Sequence, residues 1–219
     1  MNDNHKKHVY RWEECYAKLV LEQTFPERFS QLEIADKPDL QDDLSNMGVE
    51  VTTAIAKNEK EKDHLFSELV QGHGTPERQK KSKERIRQLG GIYHDPGVMS
   101  SWVDYRDLNR IYSALESKLE KLNAGGYRNL DKQLVFITDT NIIRPDELNE
   151  VWTEIAKRQE VYSKRFDSIF LYLFGGKLIE FDMKTGNIRC YVVQNVTKLA
   201  ERAIHISEGT DLTNEKGGR

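Results

Sequence analysis

The sequence predicts an α/β fold, a central mixed sheet flanked by helices, and three observations carry that reading. A continuous apolar run, Gln133 to Asp139 (QLVFITD), has the pattern of a strand buried on both faces. It lies between two segments of helical periodicity, Asp104 to Asn123 and Pro145 to about Arg165, the alternation an α/β sheet requires. Three short apolar runs close the chain, at 168–174, 177–183 and 187–193, parted by Gly175-Gly176 and Thr185-Gly186. Those spacers are hairpin signals, so the last three strands should form an antiparallel meander.

Taken in order, the first element is a helix over about 8–24, with Trp12, Cys15, Tyr16 and Leu19 on one face. Phe25-Pro26 ends it, because a residue before proline is pushed out of the helical region. Residues 31–35 (QLEIA) are a short strand candidate, 36–45 are turn-like, and 48–55 are the better strand. An amphipathic helix follows from Asn58 to about Gly72. In the next, Thr75 can cap, Pro76 suits the first helical position, and Gly90-Gly91 stop it.

Residues 91–102 read as a connector with Pro96-Gly97 turn chemistry. The clearest helix, 104–123, carries Leu108, Ile111, Tyr112, Leu115, Leu119 and Leu122 on one stripe. A short last helix is expected over 195–204, then a mobile tail over 207–219. The simplest organisation is one domain over 1–206 with a helical insertion at about 57–103.

With 219 residues and 37% hydrophobic content the chain can build a sizeable core. Lys plus Arg total 33 against 36 Asp plus Glu, a net charge of -3, so any contact with nucleic acid must come from a local patch. The one strongly basic stretch is Arg78, Lys80, Lys81, Lys83, Arg85 and Arg87, which is either a solvated helix face or a phosphate-binding arm. No apolar run approaches a spanning helix and the N-terminus lacks a signal-peptide core, which sets the expectation of a cytoplasmic protein without membrane contact. Cys15 and Cys190 lie in apolar-periodic segments and are expected as buried thiols. His64, His73 and His94 have no Cys or carboxylate at ligand spacing, and no phosphate-cradling glycine loop or G-x-S-x-G elbow occurs.

The stretch that carries chemistry is KPDLQDDLSNMGVEVTTAI, residues 37–55. Glu50 interrupts an otherwise apolar strand, and a buried unpaired carboxylate is costly, so it needs a partner or a ligand. Asp39 precedes the strand. If the chain doubles back between the two, both carboxylates converge and supply hard oxygen ligands to one divalent ion. Such a site activates water and neutralises charge on a phosphodiester.

Pro38-Asp39 and Glu50-Val51-Thr52, after an N-terminal helix and on a strand, resemble the motif of the PD-(D/E)XK superfamily of restriction-endonuclease-like nucleases. More narrowly, PDLQ, GVEVT and the helix ending KLEKLN are similar to a group of uncharacterised bacterial and phage-associated proteins of that type. The resemblance implies a restriction-endonuclease-like fold, Mg²⁺ or Mn²⁺ at Asp39 and Glu50, and hydrolysis of nucleic acid, DNA before RNA, by a chain that can be a homodimer. It also implies a lysine two residues after the glutamate, and here that position is Thr52. In the superfamily this lysine can migrate to a helix, and Lys118, at the edge of the apolar stripe, is the candidate; a snorkelled lysine with its ammonium in water is the other reading. Lys57 and Lys60 are rival donors, and Lys121 projects toward solvent. A third acid often comes from the first helix, where Glu13 borders the apolar face, Glu22 borders its other edge and Glu14 points away. Gln41 either binds a ligand or holds the turn. The alternative function is a catalytically inactive member of the fold, a binding or assembly module of a phage or mobile-element system.

Overall fold

The computed structural model describes residues 10–55, 57–94, 98–101, 107–139, 142–173 and 175–210. The expected first turn of helix at 8–9, the Pro96-Gly97 turn, the helix start at 104–106 and the tail beyond 210 lie outside the described residues. Helix α1 (Trp12–Thr24) stops where Phe25 precedes Pro26, and a single turn, α2 (Pro26–Phe29), follows. Strands β1 (Glu33–Ile34), β2 (Leu40–Asp42) and β3 (Met47–Thr53) come next, then helices α3 (Lys57–Val70) and α4 (Pro76–Gln88). The cap read from sequence is present, with Arg78 N donating to Thr75 Oγ1 at 3.3 Å. After β4 (Gly91–His94) and β5 (Val98–Ser101) the chain forms α5 (Asn109–Ala124), β6 (Lys132–Thr138) and, after a 3-10 turn, α6 (Leu148–Glu160). It closes with β7 (Ser168–Leu173), β8 (Lys177–Asp182), β9 (Ile188–Val192) and α7 (Val196–Ser207).

Seven strands make one mixed sheet in the order β1-β2-β3-β6-β7-β8-β9. The two central pairings, β3 with β6 and β6 with β7, are parallel and span helical crossovers; the outer ones are antiparallel, including the meander β7-β8-β9. Period-two alternation then sorts side chains between two layers. Val49, Val51, Leu134, Phe136 and Phe170 pack under α1 and α7, whereas Val135, Ile137, Ile169 and Leu171 pack under α5 and α6. Glu50 sits between Val49 and Val51 in β3, so it points to the α5 layer.

Four readings from sequence are corrected. The segment 36–45 is not all turn, because Leu40–Asp42 pairs with β3 in the register Leu40 with Val49. Its acidic look hides a buried Asp42, which accepts bonds from Leu44 N, Ser45 N and Ser45 Oγ; burial pushes this carboxyl up, but the Ser45 and Leu44 bonds outweigh that and hold it below its usual range. The connector 91–102 contains the hairpin β4-β5, so the insertion is two helices plus a small sheet. Trp12 is 39% exposed, lying over Tyr16 at 5.0 Å rather than in the core, and Cys190 is exposed while Cys15 is buried.

Gly48 is the residue that lets Pro38-Asp39 lie against β3. A Cβ there would come within 2.2 Å of Pro38 Cγ and 2.7 Å of Leu130 Cδ1. Gly48→Ala should therefore cost about 1–3 kcal/mol by overpacking, seen as a lower urea midpoint at unchanged slope. An unaltered midpoint would mean that the Pro38 ring moves aside freely.

Candidate active site

The β2-β3 register, extended by one residue, places Asp39 across from Glu50. Asp39 is anchored by the backbone of β3 one residue further on: Val51 N donates to Asp39 Oδ2 at 2.7 Å. Lys118 arrives from α5 across the sheet face. Its Nζ donates to Glu50 Oε2 at 2.5 Å and to Asp39 Oδ2 at 3.2 Å. Leu115, Leu119 and Leu122 are buried positions of the same helix, and the Lys118 side chain is 10% exposed. The snorkelled reading of Lys118 is thus set aside, since the ammonium is spent on two carboxylates and not in water.

Two carboxylates against one ammonium leave a residual negative charge. Glu50 is 1% exposed, and burial, then the charge of Asp39, push its carboxyl above the usual range although Lys118 pulls the other way. Burial and the Asp39 charge together outweigh the short Lys118 contact. Glu50 Oε1 is buried with no hydrogen-bond partner. Tyr127, beside the same carboxylate, has its phenol pushed up by burial and by the Glu50 charge.

Tyr127 is a site residue that the sequence reading missed. The signal was the AGGY break: Gly125 and Gly126 both have positive φ, 87° and 88°, a conformation open to glycine. They turn the chain off the end of α5 and back over the site, where Arg128 N donates to Lys37 O at 3.2 Å.

The first-helix acid is also corrected. Glu13 is turned outward, its side chain 40% exposed and 4.0 Å from Arg11, whereas Glu14 is buried. Burial first, and then the Asp39 charge, raise the Glu14 carboxyl, so Glu14 is the α1 acid that faces the site. The reason lies in α1 itself, which is covered by the sheet and by α7 and buries Cys15, Tyr16, Ala17, Leu19, Val20 and Leu21 around more than one face. Glu22 pairs with Lys18.

The remaining candidates separate by position. Thr52 is on the Glu50 face of β3 and lines a polar cleft with Lys60, Asn109, Arg110, Ser113 and Ser117. Lys60 is exposed there and Lys121 is exposed on α5. The Lys57 side chain lies outside the described residues. Gln41 holds its turn: Nε2 donates to Asp36 O at 3.2 Å and Pro38 O at 3.1 Å, and Oε1 accepts from Arg128. Among the basic residues of α4, Arg78 pairs with Glu68 at 2.8 Å and Arg85 with Glu61 at 2.7 Å, both across the helical hairpin. Lys80, Lys81 and Arg87 instead line a cleft with Glu77, Glu84, Ile92 and Tyr93.

Does this site suit a divalent ion? Among the described residues no group of three or more His, Cys, Asp and Glu is gathered as a metal site, so Glu13 does not complete one. The donor set that does converge is hard: two carboxylates, one with an orphaned buried oxygen, and net negative charge. Those features fit a Mg²⁺-type ion held by few protein ligands and water. No helix among the described residues is long and apolar enough to cross a membrane. The chain matches no family model, no curated protein and no solved structure.

Proposed function

We propose that this chain is a restriction-endonuclease-like, metal-dependent phosphodiesterase of the PD-(D/E)XK type acting on DNA. One observation carries the reading. Lys118, 68 residues from Glu50 and 79 from Asp39 in the chain, brings its ammonium onto both carboxylates, supplying from a helix the cation that Thr52 lacks. Asp39 and Glu50 would hold Mg²⁺ or Mn²⁺, which when bound lowers the pKa of water and offsets phosphodiester charge.

The chain's own groups do the rest. Lys118, fixed by Glu50, orients the attacking water and adds positive charge where negative charge develops on the phosphoryl oxygens. The Tyr127 phenol lies beside the Glu50 carboxylate, and burial together with that charge keeps it protonated. Lys80, Lys81 and Arg87 meet the nucleic-acid backbone at the α4 cleft, a contact that weakens with salt. The expected result is nicking of supercoiled plasmid with Mg²⁺ or Mn²⁺ by the parent chain and none by Glu50→Ala. Cutting by the variant, or no cutting by the parent with either metal, overturns the assignment.

A second reading, a nuclease-fold binding or assembly module without catalysis, is favoured by a specific observation. The Lys118 ammonium already bridges both carboxylates, as it would in a site whose metal chemistry has been replaced by a structural ion pair. Anomalous density between Asp39 and Glu50 in a Mn²⁺-soaked crystal separates the two readings, since only the enzyme requires it.

A further inference from the structure

The two edges of the seven-stranded sheet are unlike. At one, β1 has two residues and exposes Glu33, which blunts pairing. At the other, β9 is a five-residue strand with no proline, lysine or acid, and no described residue pairs with its outer edge. Its register with β8 sets Arg189 opposite Glu180 and Tyr191 opposite Leu178 on the α1 side. Ile188, Cys190 and Val192 face the other side, with Cys190 exposed and Val192 72% exposed.

Backbone parity shows which groups are free to bond outward. Asp182 N donates to Asn187 O at 2.9 Å and Val193 N to Gly176 O at 2.8 Å, so 187 and 193 face β8, and 189 and 191 share their direction. Residues 188, 190 and 192 therefore turn N–H and C=O away from the sheet. The Val192 carbonyl accepts a marginal bond from Gln194 Nε2 at 3.5 Å.

We infer that the chain forms a two-fold dimer by antiparallel pairing of β9 with β9 of a second copy, centred on Cys190. That register pairs Cys190 with Cys190 and Ile188 with Val192, and it matches every outward N–H with an outward C=O. It sets Arg189 across from Tyr191, a cation opposite an aromatic ring, and apolar opposite apolar on the other face. A one-residue slip brings outward groups against non-bonding positions. An unrelated strand offers the same main-chain bonds, but the strand's own side chains are complementary to themselves, as an isologous interface requires. This inference is independent of the catalytic reading.

The test uses the full chain. Sedimentation across a concentration series should give a dimer, and bismaleimidoethane should cross-link it through Cys190, since Cys15 is buried. Cys190→Ser should lose the cross-link and stay dimeric. Cys190→Pro removes only an outward N–H, which an edge strand tolerates, and should sediment as a folded monomer by circular dichroism. A monomeric parent chain, a dimer that does not cross-link at Cys190, or a dimeric Cys190→Pro overturns the proposal.

Discussion

Lys118→Met should lose about 3–5 kcal/mol of stability and all plasmid nicking. The size follows from what remains: Glu50, with a side chain 2% exposed, and Asp39 would face each other with no counter-charge, and removing one partner of a buried ion pair is far more costly than the pair is worth. Methionine keeps most of the stem's volume and its apolar character, so the loss reports the ammonium and not a cavity. Lys121→Met, on the exposed side of the same helix, should stay within about 0.5 kcal/mol of the parent chain. Urea unfolding measures both. Added Mg²⁺ or Mn²⁺ should shrink the Lys118→Met deficit, because an ion bound by the native carboxylates stabilises the fold by mass action. A variant as stable as the parent would remove the argument that this lysine holds the two acids together, and a deficit unmoved by either metal would count against metal binding while leaving the ion pair intact.

Much of this site was legible because it rests on strong periodic elements. A single carboxylate in the apolar strand of Glu50 and a lysine three residues after Leu115 and four before Leu122 are both anomalies of pattern, and the fold brings these two anomalies together. The α5 stripe and the meander were likewise readable, since their apolar spacing agrees with one buried face. What stayed hidden was short or covered on two sides. β2 has three residues and spends Asp42 on a turn, so its hydrophobic signal is Leu40 alone. The hairpin β4-β5 packs on α3 and α4, with Phe66 near Tyr93 and Lys83 over the Tyr93 ring, and no alternation marks it. In α1 the apolar spacing does not fix the phase, because a helix between a sheet and another helix has no single polar face, which is why Glu14 and not Glu13 is buried. The six cations of α4 looked like one patch, but charge pairing across the helical hairpin takes Arg78 and Arg85 out of it.

The second large effect is a pH dependence whose sign discriminates between two views of Glu50. If Lys118 dominated, the folded-state carboxyl would titrate below its unfolded value, and Glu50 would add stability as pH rose. The structure gives the opposite: burial, followed by the Asp39 charge, raises it. The folded chain then binds the Glu50 proton more tightly than the unfolded chain, so the Glu50 contribution favours folding at low pH. It is lost as pH rises from the ordinary glutamate range through the raised folded value, above which the penalty is constant. Glu50→Gln cannot titrate and escapes this loss. Its melting temperature relative to the parent should therefore climb between pH 4 and pH 7, on top of a constant offset from the altered Lys118 bond. Asp39→Asn in the parent chain should flatten the same slope, since it removes the second-largest cause of the raised carboxyl while leaving Glu50 able to ionise. A relative melting temperature that falls as pH rises would instead show that the Lys118 ammonium outweighs burial and the Asp39 charge at Glu50.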